Sequence, residues 1–379
     1  MPQREIKVYL TPHGVTFVDP GFDCLPLIKR IHPEFEIRSD PPPPGYVPSF
    51  QKARKTPVPE IAKKDLQRIR SAELWDIHGK AVRSLSSVPD QNCPTLLDLK
   101  IELARRELEN CRLCAWNCST NRFVKPGPHC GLREDANIGS IFCHVAEEPQ
   151  ITPSVVVKLN GCTLRCRHCQ ASENFVASGG IKFDAGFWDK VAKVEGYDLS
   201  ETIQLVGGNP DESVYAILLA LSSAPDDFDK PIVWNNNGYA NEVLYKLLDR
   251  IVDVWLTDFK YWSEKCGERI SEVNNYPETA RRGIEAIVSQ QTKVIVRHLI
   301  LPGHFECCSE KVLEFLEQFK QKIRISIIDN YIPDWKALND PKINRMVSEE
   351  EISKVKELLK VYELRDISES SSDFWEKTE

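Results

Sequence analysis

The 379-residue chain is 41% hydrophobic and 28% charged, a balance that supports a sizeable core and excludes a disordered composition. Lys and Arg total 49 against 56 Asp and Glu, a formal charge of −7 that argues against a nucleic-acid surface built on bulk positive charge. No apolar run approaches the roughly 18 residues of a membrane span, and the opening MPQREIKVYL lacks a signal peptide's long apolar stretch, so the expectation is a cytoplasmic protein with no membrane partner.

Residues 1–93 read as an N-terminal extension. In it, IKVYL and VTFV flank Thr11-Pro12-His13-Gly14, a pattern suited to a β-hairpin. Residues 40–48, DPPPPGYVP, favour polyproline II and predict a stiff linker or an arm across another surface. Residues 59–75 predict a helix that ends near Asp76-Ile77-His78-Gly79. A clearer amphipathic helix runs from about Pro94 to Asn110, with Leu97, Ile101, Ala104 and Leu108 at helical spacing, and opens a cysteine-rich segment over 94–151.

From 152 to 365 short apolar strands alternate with helical patterns. The strands are 154–160, 202–206, 231–235, 251–259, 293–300 and 324–329. Six strand-then-helix units predict an α/β fold with a parallel sheet, doubly wound or a partial barrel, and chemistry at the carboxyl ends of the strands. The acidic tail, 366–379, has no core pattern and is expected to be flexible.

Thirteen cysteines stand beside two methionines, and eight of them lie between Cys111 and Cys169. Such crowding at short spacing in a cytosolic chain points to metal or redox chemistry and not to a disulfide scaffold. After the first parallel strand comes Asn160-Gly161-Cys162-Thr163-Leu164-Arg165-Cys166-Arg167-His168-Cys169. Three thiolates at C-x3-C-x2-C can hold three irons of a cubane and leave the fourth open. A zinc knuckle would need a fourth local ligand, which the run lacks.

This spacing and position resembles the radical S-adenosylmethionine (SAM) superfamily. The resemblance implies a partial (β/α)6 TIM barrel, a 4Fe-4S cluster on Cys162, Cys166 and Cys169, and reductive cleavage of SAM to a 5′-deoxyadenosyl radical by a low-potential electron donor. It also implies a set of SAM contacts. His168 takes the family's aromatic position near the adenine, and Gly207, Gly208 and Asn209 resemble its Gly-Gly-Glu turn. Asn235-Asn236-Asn237-Gly238-Tyr239 and Asp258-Phe259-Lys260 resemble the D-T-N-G and D-x-K elements of glycyl-radical-enzyme activases. Arg297-His298-Leu299, Leu301-Pro302-Gly303, Tyr331-Ile332-Pro333 and Ile343-Asn344-Arg345 match the PflX-type, pyruvate formate-lyase-activating-like group, over about residues 108–365.

Cys111, Cys114, Cys118 and Cys130 form C-x2-C-x3-C-x11-C, a complete tetrahedral set. Zinc, mononuclear iron and a fully ligated cluster all suit four thiolates. The PflX-type group also has such cysteines, and a closed shell reads as one structural iron or zinc in preference to an electron relay. Cys143-His144 lies in an apolar strand-like run and reads as a buried cysteine with a satisfied histidine. Cys307 and Cys308 are adjacent and expected to point apart, so they read as poor joint ligands, and Cys24, Cys93 and Cys266 as unligated.

A PflX-like core behind a novel N-terminal unit resembles the cobalamin-dependent radical enzymes of methanogens that C-methylate methyl-coenzyme M reductase, notably at a glutamine. That resemblance implies cobalamin as a further cofactor and a protein or peptide substrate, with hydrogen taken from a peptidyl Cα. The cobalamin signature D-x-H-x-x-G is absent: Asp76-Ile77-His78 begins one, but Ala81 occupies the glycine position. Two other readings are a glycyl-radical-enzyme activase and a non-catalytic iron–sulfur scaffold or sensor, the open-site cysteine motif arguing against the latter.

Overall fold

The computed structural model describes residues 7–11, 14–83, 85, 90, 92–146, 148–184, 186–367 and 373–376. The expected hairpin forms: β1 (Lys7–Thr11) pairs antiparallel with β2 (Gly14–Val18). Helix α1 (Leu25–Ile31) and the extended proline stretch lead to α2 (Ser49–Lys55). The next helix departs from expectation, because α3 spans Ser71–Ala81 and the residues before it form turns. Their backbone bonds run to the chain ahead of the following helix, Val58 N donating to Pro94 O and Lys63 N to Asn92 O, so no i→i−4 ladder forms. Helix α4 (Leu96–Glu109) starts at a reciprocal cap, with Asp98 N donating to Thr95 Oγ1 and Thr95 N to Asp98 Oδ2.

The sheet is built next, from β3 (Asn137–His144), β4 (Ser154–Leu159), β5 (Ile181–Lys182), β6 (Thr202–Gly207), β7 (Ile232–Asn236), β8 (Val254–Asp258), β9 (Lys293–Leu299) and β10 (Arg324–Ile328). Its order is β10-β9-β8-β7-β6-β4-β3-β5. The parallel members are β4 and β6 to β10, so the six expected strands form the α/β core. Strands β3 and β5 add antiparallel pairings, which carries the sheet back into the cysteine-rich segment. Interspersed are α5 (Phe187–Val191), α6 (Val214–Ser222), α7 (Glu242–Leu248), α8 (Glu264–Cys266), α9 (Tyr276–Val288), α10 (Glu310–Glu317) and α11 (Glu349–Val361).

Alternation along the strands sorts side chains into two layers. Val155, Val157, Ile203, Leu205, Trp234, Trp255, Val294 and Val296 pack with the helices in the main core. Val233, Val254, Leu256 and Ile295 point the other way and form a separate apolar cluster with Ile151, Ile367, Phe374 and Trp375. Tyr46 of the proline stretch joins that cluster, edge-on to Trp375 at 5.5 Å, and its hydroxyl donates to Asp253 Oδ1 at 2.9 Å. Trp375 Nε1 donates to Asp40 O at 2.8 Å. Residues 40–48 are therefore an arm under the amino end of the sheet. The expectation of a flexible tail fails at residues 366–367 and 373–376: Phe374 and Trp375 are buried, and Asp373 pairs with Arg324 and Arg365. Residues 368–372 and 377–379 lie outside the described residues.

The hairpin lies on the other side of the molecule's open edge. Lys7 and Tyr9 bond Asp334 beyond β10, Asp19 pairs with Lys158 of β4, and Gly21 bridges to His144 at the end of β3. It thus links the two margins of the parallel sheet.

Candidate functional site

The loop after β4 carries the three-cysteine motif. Gly161 turns the chain with φ +91°, and a Cβ there would meet the Leu132 side chain at 2.7 Å, so only glycine seats the loop. The loop's backbone is pinned to the segment after α8, Arg165 N donating to Ser271 O and Arg167 N to Ile270 O. Cys162 and Cys166 are buried and Cys169 half-buried. Cys166 Sγ lies 2.9 Å from Ser271 Oγ, which is 2.9 Å from the Tyr261 hydroxyl. Burial raises all three thiols above their ordinary range, and the charge of Cys166 adds to the rise at both Cys162 and Cys169. His168 is buried between Tyr261 and Tyr331 and kept neutral by burial and then by Lys260, its pKa lowered to about 3. Its Nδ1 has no hydrogen-bond partner.

The turns after the neighbouring strands converge on this loop. A Cβ on Gly207 would lie 2.2 Å from Leu159 N, and one on Gly208 would lie 2.0 Å from Gly161 O. These glycines let β6 and its turn lie against the backbone that carries Cys162. Asn209 is turned into a buried network: its Oδ1 accepts from Asn237 N at 3.0 Å and its Nδ2 donates to Glu212 Oε2 at 2.7 Å. Asn236 faces outward, donating to Asp211 and accepting from Thr257 Oγ1 at 2.7 Å. Asn235 and Asn237 share the opposite face by strand alternation, and Asn237 Nδ2 approaches Cys162 Sγ at 3.8 Å. Asp258 holds Lys260 Nζ at 2.5 Å; burial pulls the lysine down, but Asp258 and the thiols of Cys166 and Cys169 outweigh it and hold its pKa above the ordinary value.

The four-cysteine segment packs on the same loop. Trp116, between Cys114 and Cys118, donates Nε1 to Thr163 O at 3.0 Å and stacks on His129 at 3.7 Å. Arg165 donates to His129 O at 2.8 Å. Arg122, 1% exposed, ties the segment to β6's far turn by donating to Leu132 O and Glu212 O. Cys111, Cys114 and Cys130 are buried, Cys118 half-buried, and burial raises the first three. The buried Glu212 carboxylate lies close enough to both sets to raise Cys114, Cys130 and Cys162.

The profile of the Radical SAM superfamily matches residues 156–316, from β4 to α10, with all three motif cysteines inside. The uncharacterized protein MJ0674 of Methanocaldococcus jannaschii is 33% identical over 305 residues, 77% of this chain and 88% of that protein. The chain belongs to the radical SAM superfamily. Among solved structures, HydG, a maturase of the [FeFe]-hydrogenase, is similar with a TM-score of 0.41 and 12% identity, over 79% of this chain and 63% of that one. SuiB of Streptococcus suis bound to the precursor peptide SuiA is similar with a TM-score of 0.39 and 15% identity, over 53% of this chain and 43% of that one. As a member of the radical SAM superfamily the enzyme is expected to use a 4Fe-4S cluster and SAM, and its residues fit both: three thiols lie close enough to raise one another's pKa beside a lysine, two glycines admit the neighbouring backbone, and an orphaned imidazole nitrogen stands alongside.

Some residues singled out in the sequence fall elsewhere. Arg297 and His298 are consecutive on β9 and face opposite ways. Arg297 points inward and is held by Glu148, Nη2 to Oε1 at 2.6 Å, with Ser326 donating to the same oxygen. His298 points into the helical layer, bonded to Phe259 O at 2.7 Å and Ser309 Oγ at 2.9 Å, so it is not in the radical site. His144 is buried as expected, yet neither ring nitrogen has a hydrogen-bond partner, and burial lowers its pKa to about 4. Cys307 and Cys308 also differ from expectation, because their sulfurs lie 3.8 Å apart and Cys266 Sγ lies 3.8 Å from Cys307 Sγ. Asn237, part of the D-T-N-G-like run, reaches Cys162, whereas Ser271 was missed and nothing local in the sequence marks it.

A cavity of about 680 Å³ lies outside the barrel between α4, α7 and α9, lined among others by Trp75, Glu107, Arg112 and Lys246. It holds no motif cysteine. No helix among the described residues is long and apolar enough to cross a membrane.

Proposed function

We propose that this chain is a peptidyl C-methyltransferase that takes hydrogen from a protein substrate, the glutamine Cα of methyl-coenzyme M reductase, and methylates it with the help of cobalamin. Cys162, Cys166 and Cys169 hold the cluster, and Cys111, Cys114, Cys118 and Cys130 hold one structural iron or zinc that braces the loop through Trp116 and His129. When bound, the cluster and SAM supply a 5′-deoxyadenosyl radical and a corrinoid supplies a methyl group. Asn237 and Ser271 orient the sulfurs of Cys162 and Cys166, and Lys260 offers positive charge beside the thiolates. Asn235 shares the inward face with Asn237 and stands, with Asp258, His168, Gly207 and Gly208, where SAM is read to lie. Asn209, Asn236 and His298 support that wall from behind.

The observation that carries a protein-modifying reading is the N-terminal hairpin. It crosses from β4 to the segment after β10 and sets Lys7 and Tyr9 beside Gln170 and Asp334, next to the Cys169 end of the loop. A hairpin at the mouth gives an extended peptide a backbone edge to follow. The cobalamin part rests on the whole-chain resemblance alone. His78 does not offer a base to cobalt, because it is 4% exposed and its Nε2 meets Lys100 Nζ at 2.7 Å between α3 and α4. A corrinoid in this protein would have to bind base-off.

Anaerobic reconstitution with hydroxocobalamin and a glutamine-bearing peptide tests the reading. S-adenosylhomocysteine forming together with 5′-deoxyadenosine is the expected result, and both products vanish in Cys166→Ala. Absence of corrinoid binding, with 5′-deoxyadenosine and a persistent glycyl radical on a partner, would replace it with activase chemistry. SAM cleavage that survives Cys166→Ala would remove every enzymatic reading.

A further inference from the structure

Three thiols and an imidazole converge outside the radical motif and outside the four-cysteine segment. Cys266 ends α8 on the connection after β8, while His304, Cys307 and Cys308 lie on the connection after β9. All four ligand atoms lie within 4.8 Å of one another. The sequence concealed this because Cys307 and Cys308 are neighbours. A π-turn over Phe305–Ser309, with Ser309 N donating to His304 O, narrows the angular step between successive side chains below the roughly 100° of an α-helix. Both sulfurs then turn toward Cys266.

The distances are those of a tetrahedral ion's shell. Metal–sulfur bonds of about 2.3 Å and metal–nitrogen bonds of about 2.0–2.1 Å place tetrahedral ligands about 3.8 Å apart for two sulfurs and about 3.5 Å apart for sulfur and nitrogen. Here Cys266 to Cys307 and Cys307 to Cys308 are each 3.8 Å. His304 Nδ1 is 3.4 Å from Cys266 Sγ and 3.3 Å from Cys307 Sγ. A disulfide would need sulfurs at about 2.0 Å, so the spacing is too wide for a bond and right for a shared ion. Cys307 is exposed, which gives an ion a way in, while Cys266 and Cys308 are buried.

We propose that Cys266, His304, Cys307 and Cys308 form a second, Cys3His metal site that takes a thiophilic divalent ion, zinc being the probe of choice. On binding, three thiol protons leave to solvent, His304 Nδ1 gives its lone pair to the ion and its proton passes to Nε2. Nε2 now faces Arg269 Nη2 at 3.1 Å, and Arg269 also donates to Asp340 at 2.8 Å, so the guanidinium has a partner to turn to. The ion would clamp the connections after β8 and β9. Its lever on the radical site is short: Cys266 opens directly into the turn Gly267–Ser271, whose last residue touches Cys166.

The test compares zinc per chain in the full-length protein, loaded under reductant and desalted, with the double variant Cys307→Ser/His304→Ala and with the control Cys93→Ser. The metal held by the other two cysteine sets is common to all three proteins and cancels in the difference. The double variant is expected to hold about one zinc fewer, the control the same number as the parent. Because Cys307 is exposed, Cys307→Ser alone keeps the core, and it is expected to lose zinc to a chromophoric chelator with about tenfold lower affinity or worse at this one site. Equal zinc in parent and double variant, or a Cys266–Cys307 disulfide forming despite excess zinc, overturns the site.

Discussion

The two ends of the parallel sheet are built by opposite rules. At the carboxyl end, short polar turns crowd together: Gly207 and Gly208 lie on the backbone of Leu159 and Gly161, and Asn237 and Ser271 reach cluster-loop sulfurs. At the amino end, inward side chains are apolar and are sealed by Tyr46, Ile367, Phe374 and Trp375, supplied from the two far ends of the chain. The first end concentrates groups that bind and orient, and its tolerance for added atoms is small. The second contributes burial, and what matters there is volume and not chemical identity. Substitutions at the two ends should therefore separate activity from stability.

The largest effect is expected from Gly208→Ala. The new Cβ would sit 2.0 Å from Gly161 O, a backbone atom that can yield only by moving the cluster loop. Displacements of about 1 Å at a reacting centre cost about a hundredfold in rate. Reconstituted Gly208→Ala should form 5′-deoxyadenosine about a hundredfold more slowly, with the circular dichroism of the parent. A rate within a factor of about two of the parent would show that this end is not tight after all.

Trp375→Ala makes the complementary test. Removing a large buried aromatic costs roughly 3–5 kcal/mol, so the urea midpoint should fall clearly while SAM cleavage per folded molecule stays at the parental rate. An unchanged midpoint would mean that the tail does not seal the amino end. Equal losses of stability and of rate per folded molecule would collapse the distinction between the ends.

The same contrast explains what could be read in the sequence. Every turn at the carboxyl end follows directly on its strand, so Cys162, Gly207, Asn235 and Asp258 each announce themselves within a few residues of an apolar run. The six strands were legible for the same reason, since burial on both faces gives continuous Val, Ile and Leu. The seal at the amino end joins residues about 330 apart in sequence, as in the bond from Trp375 to Asp40, and neither segment has a periodic pattern of its own. Partner choice was equally hidden: the sequence suggested Arg297 as a SAM contact, and nothing in its surroundings pointed to its pairing with buried Glu148. The sulfur cluster at Cys266 was invisible because it depends on a π-turn, which no propensity marks.

Between the two ends lies His144, and its titration gives the smallest and most specific test. It is buried in the wall near Asp19, Glu148, Arg297 and Lys158; burial dominates and lowers its pKa from 6.5 to about 4. The unfolded chain takes up a proton near pH 6.5, whereas the folded chain resists until about pH 4. His144 therefore contributes its full stabilisation above pH 6.5 and loses it as the pH falls from there through about 4. At 1.36 kcal/mol per pKa unit, the loss is on the order of 3 kcal/mol. His144→Phe removes the titrating group, so its stability should decline less steeply than the parent's over that interval, while the two curves run parallel above pH 7. His298 and His168, also lowered by burial, remain in both proteins and cancel in the comparison. Parallel urea midpoints from pH 7 down to 4 would mean that His144 is solvated in solution, and that water reaches the barrel interior between the polar mouth and the apolar seal.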